Sequence, residues 1–344
     1  MRQRYTDALC RELSLRRDEL PSAPSTIYIG GGTPSQLSVE QLQQLFLTIE
    51  RLWGSVPPDT EVTMECNPDD VTDSFAQSIA HLPVNRVSMG VQTFDDSRLR
   101  FLHRRHTAEQ ARQAVARLRK AGIRNISIDL MFGFPDETLA DWRQDIDKAL
   151  ALGVEHISAY SLMYEEGTPL YAMLQRGDIR EISDEESLAM YDTLVDKLVA
   201  AGYEHYEISN FALPHFRSRH NSSYWHDTAY VGIGAAAHSF DHKTRSWNVS
   251  SVKQYVESIE QGKRPYESEV IDEDTHYDDL VTTALRTREG LKLDTLLPRH
   301  RDYLLRTAQQ HIDDGTLALE DGWLHLTRKG IYISDAIMAD LMFV

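Results

Sequence analysis

The sequence predicts an α/β fold in which a parallel sheet alternates with helices. Three observations carry that prediction. Short runs rich in β-branched residues alternate with helical stretches along most of the chain. Each run ends on a polar or small residue: Gly30-Gly31-Gly32-Thr33, then Glu65, Gln92, Asp129 and Ser161. In a parallel βα array such ends meet on one rim, where barrel active sites form. Third, the helices between the runs carry start and stop signals of their own.

Taken in order, residues 2–20 read as an amphipathic helix, with Leu9, Leu13 and Leu20 among charged residues. The run Ile27-Tyr28-Ile29 then meets three glycines and Thr33-Pro34. Bare backbone at a strand end allows a ligand to approach closely. A tight turn that binds nothing is the alternative. Ser38 with Gln41 gives a capping box for a helix over 39–53. Strands follow over 60–66, 86–92, 125–133 and 156–162, with a nearly continuous apolar character expected of strands covered on both faces. Capping boxes at Thr107/Gln110, Thr138/Asp141 and Ser183/Glu186 open helices, and Gly122, Gly153 and Gly202 close them.

From about residue 246 the pattern changes. A helix near 250–261, a Pro/acidic connector over 264–274 and helices near 275–288 and 299–314 are expected. Two short strands then surround Asp321-Gly322, and a last helix begins near Thr327. Helix, hairpin and helix resemble a winged-helix module; DNA binding is one reading, and the chain's acidic charge favours packing or partner docking instead. Two domains follow, 1–245 and 246–344.

Composition narrows the function. Among 344 residues the formal charge is −17, which argues against non-specific binding to nucleic acid or an anionic membrane. No apolar run reaches the roughly 18 residues of a membrane span. The charged start, Met1-Arg2-Gln3-Arg4, lacks a signal-peptide core, so a cytoplasmic protein is expected. Only Cys10 and Cys66 are present, too few for a disulfide framework.

Five motifs occur in sequence: Gly30-Gly31-Gly32-Thr33-Pro34-Ser35, Glu65-Cys66-Asn67-Pro68, Ser88-Met89-Gly90-Val91-Gln92-Thr93-Phe94, Ile128-Asp129-Leu130-Met131-Phe132-Gly133-Phe134-Pro135, and Gly232-Ile233-Gly234-Ala235-Ala236-Ala237-His238-Ser239. Together they resemble the radical-SAM family related to oxygen-independent coproporphyrinogen III oxidase. The segment His220-Asn221-Ser222-Ser223-Tyr224-Trp225 is similar to the HNxxYW motif of its HemW-type haem-chaperone branch. The resemblance implies a partial (β/α)6 barrel with a C-terminal helical, winged-helix-like domain. S-adenosylmethionine would lie across the strand ends. By motif match, Gly31, Gly32 and Thr33 would approach its methionine part, Glu65 and Gln92 its ribose, Arg104 its carboxylate and Asp129 its nucleoside. Met163 and His238 match positions near the adenine. The alternative for Arg104 is a surface charge within Arg104-Arg105.

The resemblance also implies a CxxxCxxC loop holding a [4Fe–4S] cluster, and this chain has none. The first barrel strand of the family is missing too, leaving an open edge beside the glycine strand and a route to a homodimer. A lost N-terminal segment and a naturally cluster-free protein both account for this. His220 is the candidate haem-iron ligand, with Tyr224 and Trp225 as packing surface. Alternatively these residues only satisfy backbone groups and close the fold. Two functions follow: a haem-binding chaperone that delivers haem or a porphyrin to apoproteins, or an oxygen-independent coproporphyrinogen III oxidase in porphyrin biosynthesis.

Overall fold

A computed structural model describes residues 1–343. By their contacts these divide into two compact units, one of 28–36 and 61–218, the other of 1–27, 37–60 and 219–343.

The first unit carries most of a seven-stranded sheet. Its strands are β1 (Thr26–Ile29), β2 (Glu61–Cys66), β3 (Arg86–Gln92), β4 (Asn125–Phe132), β5 (His156–Ser161), β6 (Glu204–Glu207) and β7 (Asn210–Ala212). The order is β1-β2-β3-β4-β5-β7-β6, which puts β1 at an edge. Strands β2 to β5 are parallel in succession. Beyond them β7 and β6 add an antiparallel hairpin that the sequence did not announce.

The expected continuous apolar character of the strands is corrected by the structure. Val87, Met89 and Val91 on β3, and Ile126, Ile128 and Leu130 on β4, are fully buried. The residues between them are polar: Arg86, Ser88, Gln92, Ser127 and, on β5, His156 and Ser158, all buried. The apolar set faces the helices; Phe132 lies 5.2 Å from Trp142 of the helix Leu139–Ala151. The polar set lines the other face. Two-residue alternation, interrupted on β3 by the shift between Gly90 and Gln92, therefore builds a buried polar row on one face of the sheet. All four expected capping boxes form, at Ser38, Thr107, Thr138 and Ser183.

The second unit begins with the helix Arg2–Leu15, followed by a 3-10 turn at Arg17–Glu19 where the sequence suggested one helix to residue 20. It also holds the helix Val39–Trp53 and the short helix Arg219–Trp225. A small sheet follows, β8 (His238–Phe240), β9 (Thr244–Asn248) and β10 (Tyr266–Val270). β10 occupies the stretch expected to be a connector. A further sheet combines β11 (Leu291–Lys292), β12 (Leu317–Glu320) and β13 (Trp323–Leu326), the last two forming the expected hairpin. The C-terminal residues own a separate core around Val281, Leu304, Leu324 and Ile337.

Candidate functional site

The cleft starts at the glycine turn. Gly31 and Gly32 have φ of 74° and 66°, values that glycine adopts without strain. Gly30 has no space for a side chain: an added Cβ would lie 2.3 Å from the Tyr28 ring and 2.9 Å from Oε1 of Glu65. The turn thereby closes onto Glu65 at the end of β2. Tyr28 donates its hydroxyl to Glu65 Oε1 at 2.7 Å, and the Gly31 N–H donates to Oε2 at 3.1 Å. Burial and the Glu65 charge raise the Tyr28 phenol far above its ordinary value, so it stays a donor.

The exit of the turn is tied down by Asp70. It accepts from Ser35 Oγ and Gln36 Nε2, both at 2.6 Å, and from Arg105 at 3.2 Å. Burial alone would raise this carboxyl, but those donors hold it below the usual carboxylate range.

The third wall comes from β3. The ladder with β4 shifts register between Gly90 and Gln92, and Gln92 adopts a φ of 69°. A Cβ on Gly90 would lie 2.9 Å from Gln92 Nε2 and 3.8 Å from the Arg104 guanidinium. The bulge thus folds the Gln92 amide back over its own strand, with Arg104 beside it. Asp129 closes the floor. Burial pushes its carboxyl up to about 6, with Glu65 adding to the rise and Arg86 and Arg104 opposing it. Burial also lowers Arg104, against the attraction of Asp129 and Asp69.

Gly32, Thr33, Glu65, Gln92, Arg104 and Asp129 all line one cleft of about 200 Å³, with Ser88, Gly90 and Asn67 between them. Gly31 adjoins it through Glu65. The residues singled out on separate strand ends are therefore assembled in one place. Tyr28, Gly90 and Asp70 carry no site signal of their own in the sequence, although Tyr28 lies two residues before Gly30. Met163 is not part of the lining; it is 70 % exposed beyond β5. His238 belongs to the other unit, stacked on Trp247 with ring centroids 5.9 Å apart.

The second group lies on the helix Arg219–Trp225. His220 and Tyr224 are four residues apart, so their side chains share a face. Thr26 Oγ1 stands 2.9 Å from His220 Nδ1, and Tyr224 Oη stands 2.9 Å from Nε2. Aromatic contacts continue from Tyr224 to Tyr230 at 4.8 Å and from Tyr230 to Phe240 at 6.1 Å. The Trp225 ring lies under Arg286 at 5.4 Å, and its buried Nε1 has no hydrogen-bond partner among the described residues.

Of the two thiols, only Cys66 lies on the cleft lining. Cys10 is buried in the helix Arg2–Leu15, with Sγ 3.8 Å from the Gln44 carbonyl, and Cys66 is buried at the end of β2. Burial raises both thiols. Among the described residues no three His, Cys, Asp or Glu side chains come together to hold a metal ion. The thiols of this chain do not fit an iron–sulfur cluster, which needs several clustered thiolates. The glycine backbone and polar cleft do fit an adenosyl-type cofactor: carboxylates and an amide suit ribose hydroxyls, and a guanidinium suits a carboxylate.

The glycine turn and the polar cleft lie within residues 13–149, which the radical-SAM superfamily profile matches, and this places the chain in the radical-SAM class. That class implies S-adenosylmethionine and a [4Fe–4S] cluster as its cofactors. The fold is similar to coproporphyrinogen III oxidase (HemN) from Escherichia coli, with a TM-score of 0.83, 20 % identity, and coverage of 99 % of this chain and 83 % of that one. The chain is 39 % identical to the haem chaperone HemW of Lactococcus lactis over 270 residues, covering 78 % of this chain and 70 % of the relative. It is 33 % identical to HemW of Mycobacterium tuberculosis over 342 residues, covering 98 % and 86 %. This chain belongs to the HemW family.

Proposed function

We propose that this protein binds haem through His220 and delivers it to haem-dependent apoproteins, and that its glycine-edged cleft binds S-adenosylmethionine. The observation that carries the haem reading is His220 itself. Its imidazole is oriented from both sides, by Thr26 at Nδ1 and Tyr224 at Nε2, on the helix that also carries Trp225. A neutral imidazole so oriented is a usual iron ligand, and the aromatic rings of Tyr224 and Trp225 supply apolar surface for a porphyrin. Relatives at 39 % and 33 % identity bear the name haem chaperone, which supports the same reading.

In the cleft, the backbone at Gly31 and Gly32 admits the methionine moiety. Glu65, held at both oxygens, and Gln92 accept and donate to ribose, while Arg104 pairs with the carboxylate. Bound to a cluster, S-adenosylmethionine supplies radical chemistry. No step of that kind belongs to this proposal, because the thiols here do not fit a cluster. Haem titration tests the proposal: a Soret band should develop with the wild type and diminish in His220→Ala. Equilibrium dialysis of S-adenosylmethionine should show weaker binding to Arg104→Ala.

No described helix is long and apolar enough to cross a membrane. We place the protein in the cytoplasm, where cell fractionation should find it. The open edge at β1 supports self-association into a homodimer, which sedimentation velocity tests. The division into domains 1–245 and 246–344 belongs to the same proposal.

A further inference from the structure

We propose that Tyr224 is a removable cap on the iron-binding nitrogen of His220, so that haem capture exchanges a phenol for iron. This rests on His220 being the iron ligand. A neutral imidazole has one N–H and one lone pair, and which nitrogen carries the proton is set by the partners. Here a hydroxyl stands 2.9 Å from each ring nitrogen, Thr26 Oγ1 at Nδ1 and Tyr224 Oη at Nε2. A phenol is the stronger acid of the two, with an ordinary pKa near 10, and so is the better donor to a lone pair. Tyr224 therefore donates to Nε2, and Nδ1–H donates to Thr26.

That tautomer has two consequences. Thr26 holds the proton on Nδ1 and keeps Nε2 available as a ligand, as the outer partner of a metal-bound histidine does. Tyr224 simultaneously occupies the same lone pair. The two hydroxyls act in opposite directions on haem binding. Tyr224 is also placed to leave. It is 37 % exposed, and its ring meets Tyr230 edge-on at 4.8 Å. In the exchange the Tyr224 O–H would turn from Nε2 to solvent water, and Nε2 would take the place of a water on the incoming ferric haem. The proton stays on the phenol, Nδ1–H keeps donating to Thr26 Oγ1, and no redox change occurs.

Ferric haem binding to the full chain by stopped flow tests this with two variants of opposite expected sign. Tyr224→Phe keeps the ring and its contact with Tyr230 but removes the cap. It should bind haem faster and about fivefold more tightly, the net worth of one hydrogen bond. Thr26→Val removes the partner that fixes the tautomer and should bind several-fold more weakly. Equal or weaker binding by Tyr224→Phe, or a shift of both variants in one direction, would overturn the cap. An independent readout is the ¹⁵N spectrum of the apoprotein: a protonated Nδ1 and a hydrogen-bonded, unprotonated Nε2 are expected for His220, and the opposite tautomer contradicts the cap even if a variant fails to fold. If His220→Ala binds haem with unchanged affinity and spectrum, the ligand assignment itself fails. If His220→Ala loses binding while Tyr224→Phe does not gain it, only the cap fails.

Discussion

Tyr28 and Glu65 meet across the mouth of the cleft, hydroxyl to carboxylate at 2.7 Å. With the Gly31 N–H on the other oxygen, the carboxylate is fixed before any ligand arrives. Such prior fixing reduces the ordering that a ligand must impose. Tyr28→Phe removes one of the two donors. It should destabilise the fold by about 1.5–3 kcal/mol, the range for a hydrogen bond to a charged group. S-adenosylmethionine binding should weaken by about tenfold, as equilibrium dialysis would show, while haem binding is unchanged.

Two glycines of the cleft predict different outcomes when given a methyl group. At Gly30 the added Cβ meets the Tyr28 ring at 2.3 Å, and the ring is held by Glu65, so neither side yields. Gly30→Ala should cost about 1–3 kcal/mol in thermal or denaturant unfolding, as overpacking does. At Gly90 the clash is with the far end of the Gln92 side chain, at 2.9 Å. Gly90→Ala should fold with nearly wild-type stability but displace Gln92, so its defect should appear in cofactor affinity.

Asp129 predicts a pH dependence. Burial raises its carboxyl to about 6 in the folded state, against about 3.9 in the unfolded chain. The folded state therefore holds the proton more tightly between these values. Stability contributed by the protonated form is present at low pH and is lost as pH rises from about 4 to 6. About two pKa units correspond to roughly 3 kcal/mol. Asp129→Asn should remove that slope and be more stable than wild type at pH 7, while binding S-adenosylmethionine less well. Urea unfolding at pH 4.5 and 7 measures both. Glu137, pushed by burial up to about 7, leaves a residual slope at the upper end.

The C-terminal core predicts partial autonomy. Leu304 and Leu324 are fully buried among residues drawn only from the last part of the chain. A fragment of residues 246–344 should unfold cooperatively, and Leu304→Ala within it should cost about 2–5 kcal/mol. The helix Val252–Glu260 should fray in that fragment, because Tyr255 loses Ala8 and its bond to Glu12 at 2.6 Å. Hydrogen exchange distinguishes the two behaviours.

What could be read from the sequence follows from how strongly each signal is local. Ser38 with Gln41 and Thr107 with Gln110 fix helix starts by contacts three residues apart, and both form as expected. The strand ends Glu65, Gln92 and Asp129 were visible because parallel strands place them on one rim. The hairpin β6–β7 was not, since Glu204-His205-Tyr206-Glu207 has neither apolar alternation nor a recognisable turn. β10 was read as a connector because Tyr266–Val270 is exposed throughout and leaves no burial pattern. The polar row of Arg86, Ser127 and His156 was also hidden, because apolar neighbours at alternate positions gave those strands an apolar appearance. Thr26 could not be foreseen beside His220, since 194 residues separate them.

Haem capture by this protein depends on a bond between a His220 nitrogen and haem iron. The electronic and electron-paramagnetic-resonance spectra of ferric haem bound to His220→Gly, taken with and without added imidazole, test it most directly. The expected result is loss of the wild-type histidine-ligated spectrum in the variant and its return when imidazole enters the space left by the side chain. A variant whose spectrum matches the wild type without imidazole would contradict the account.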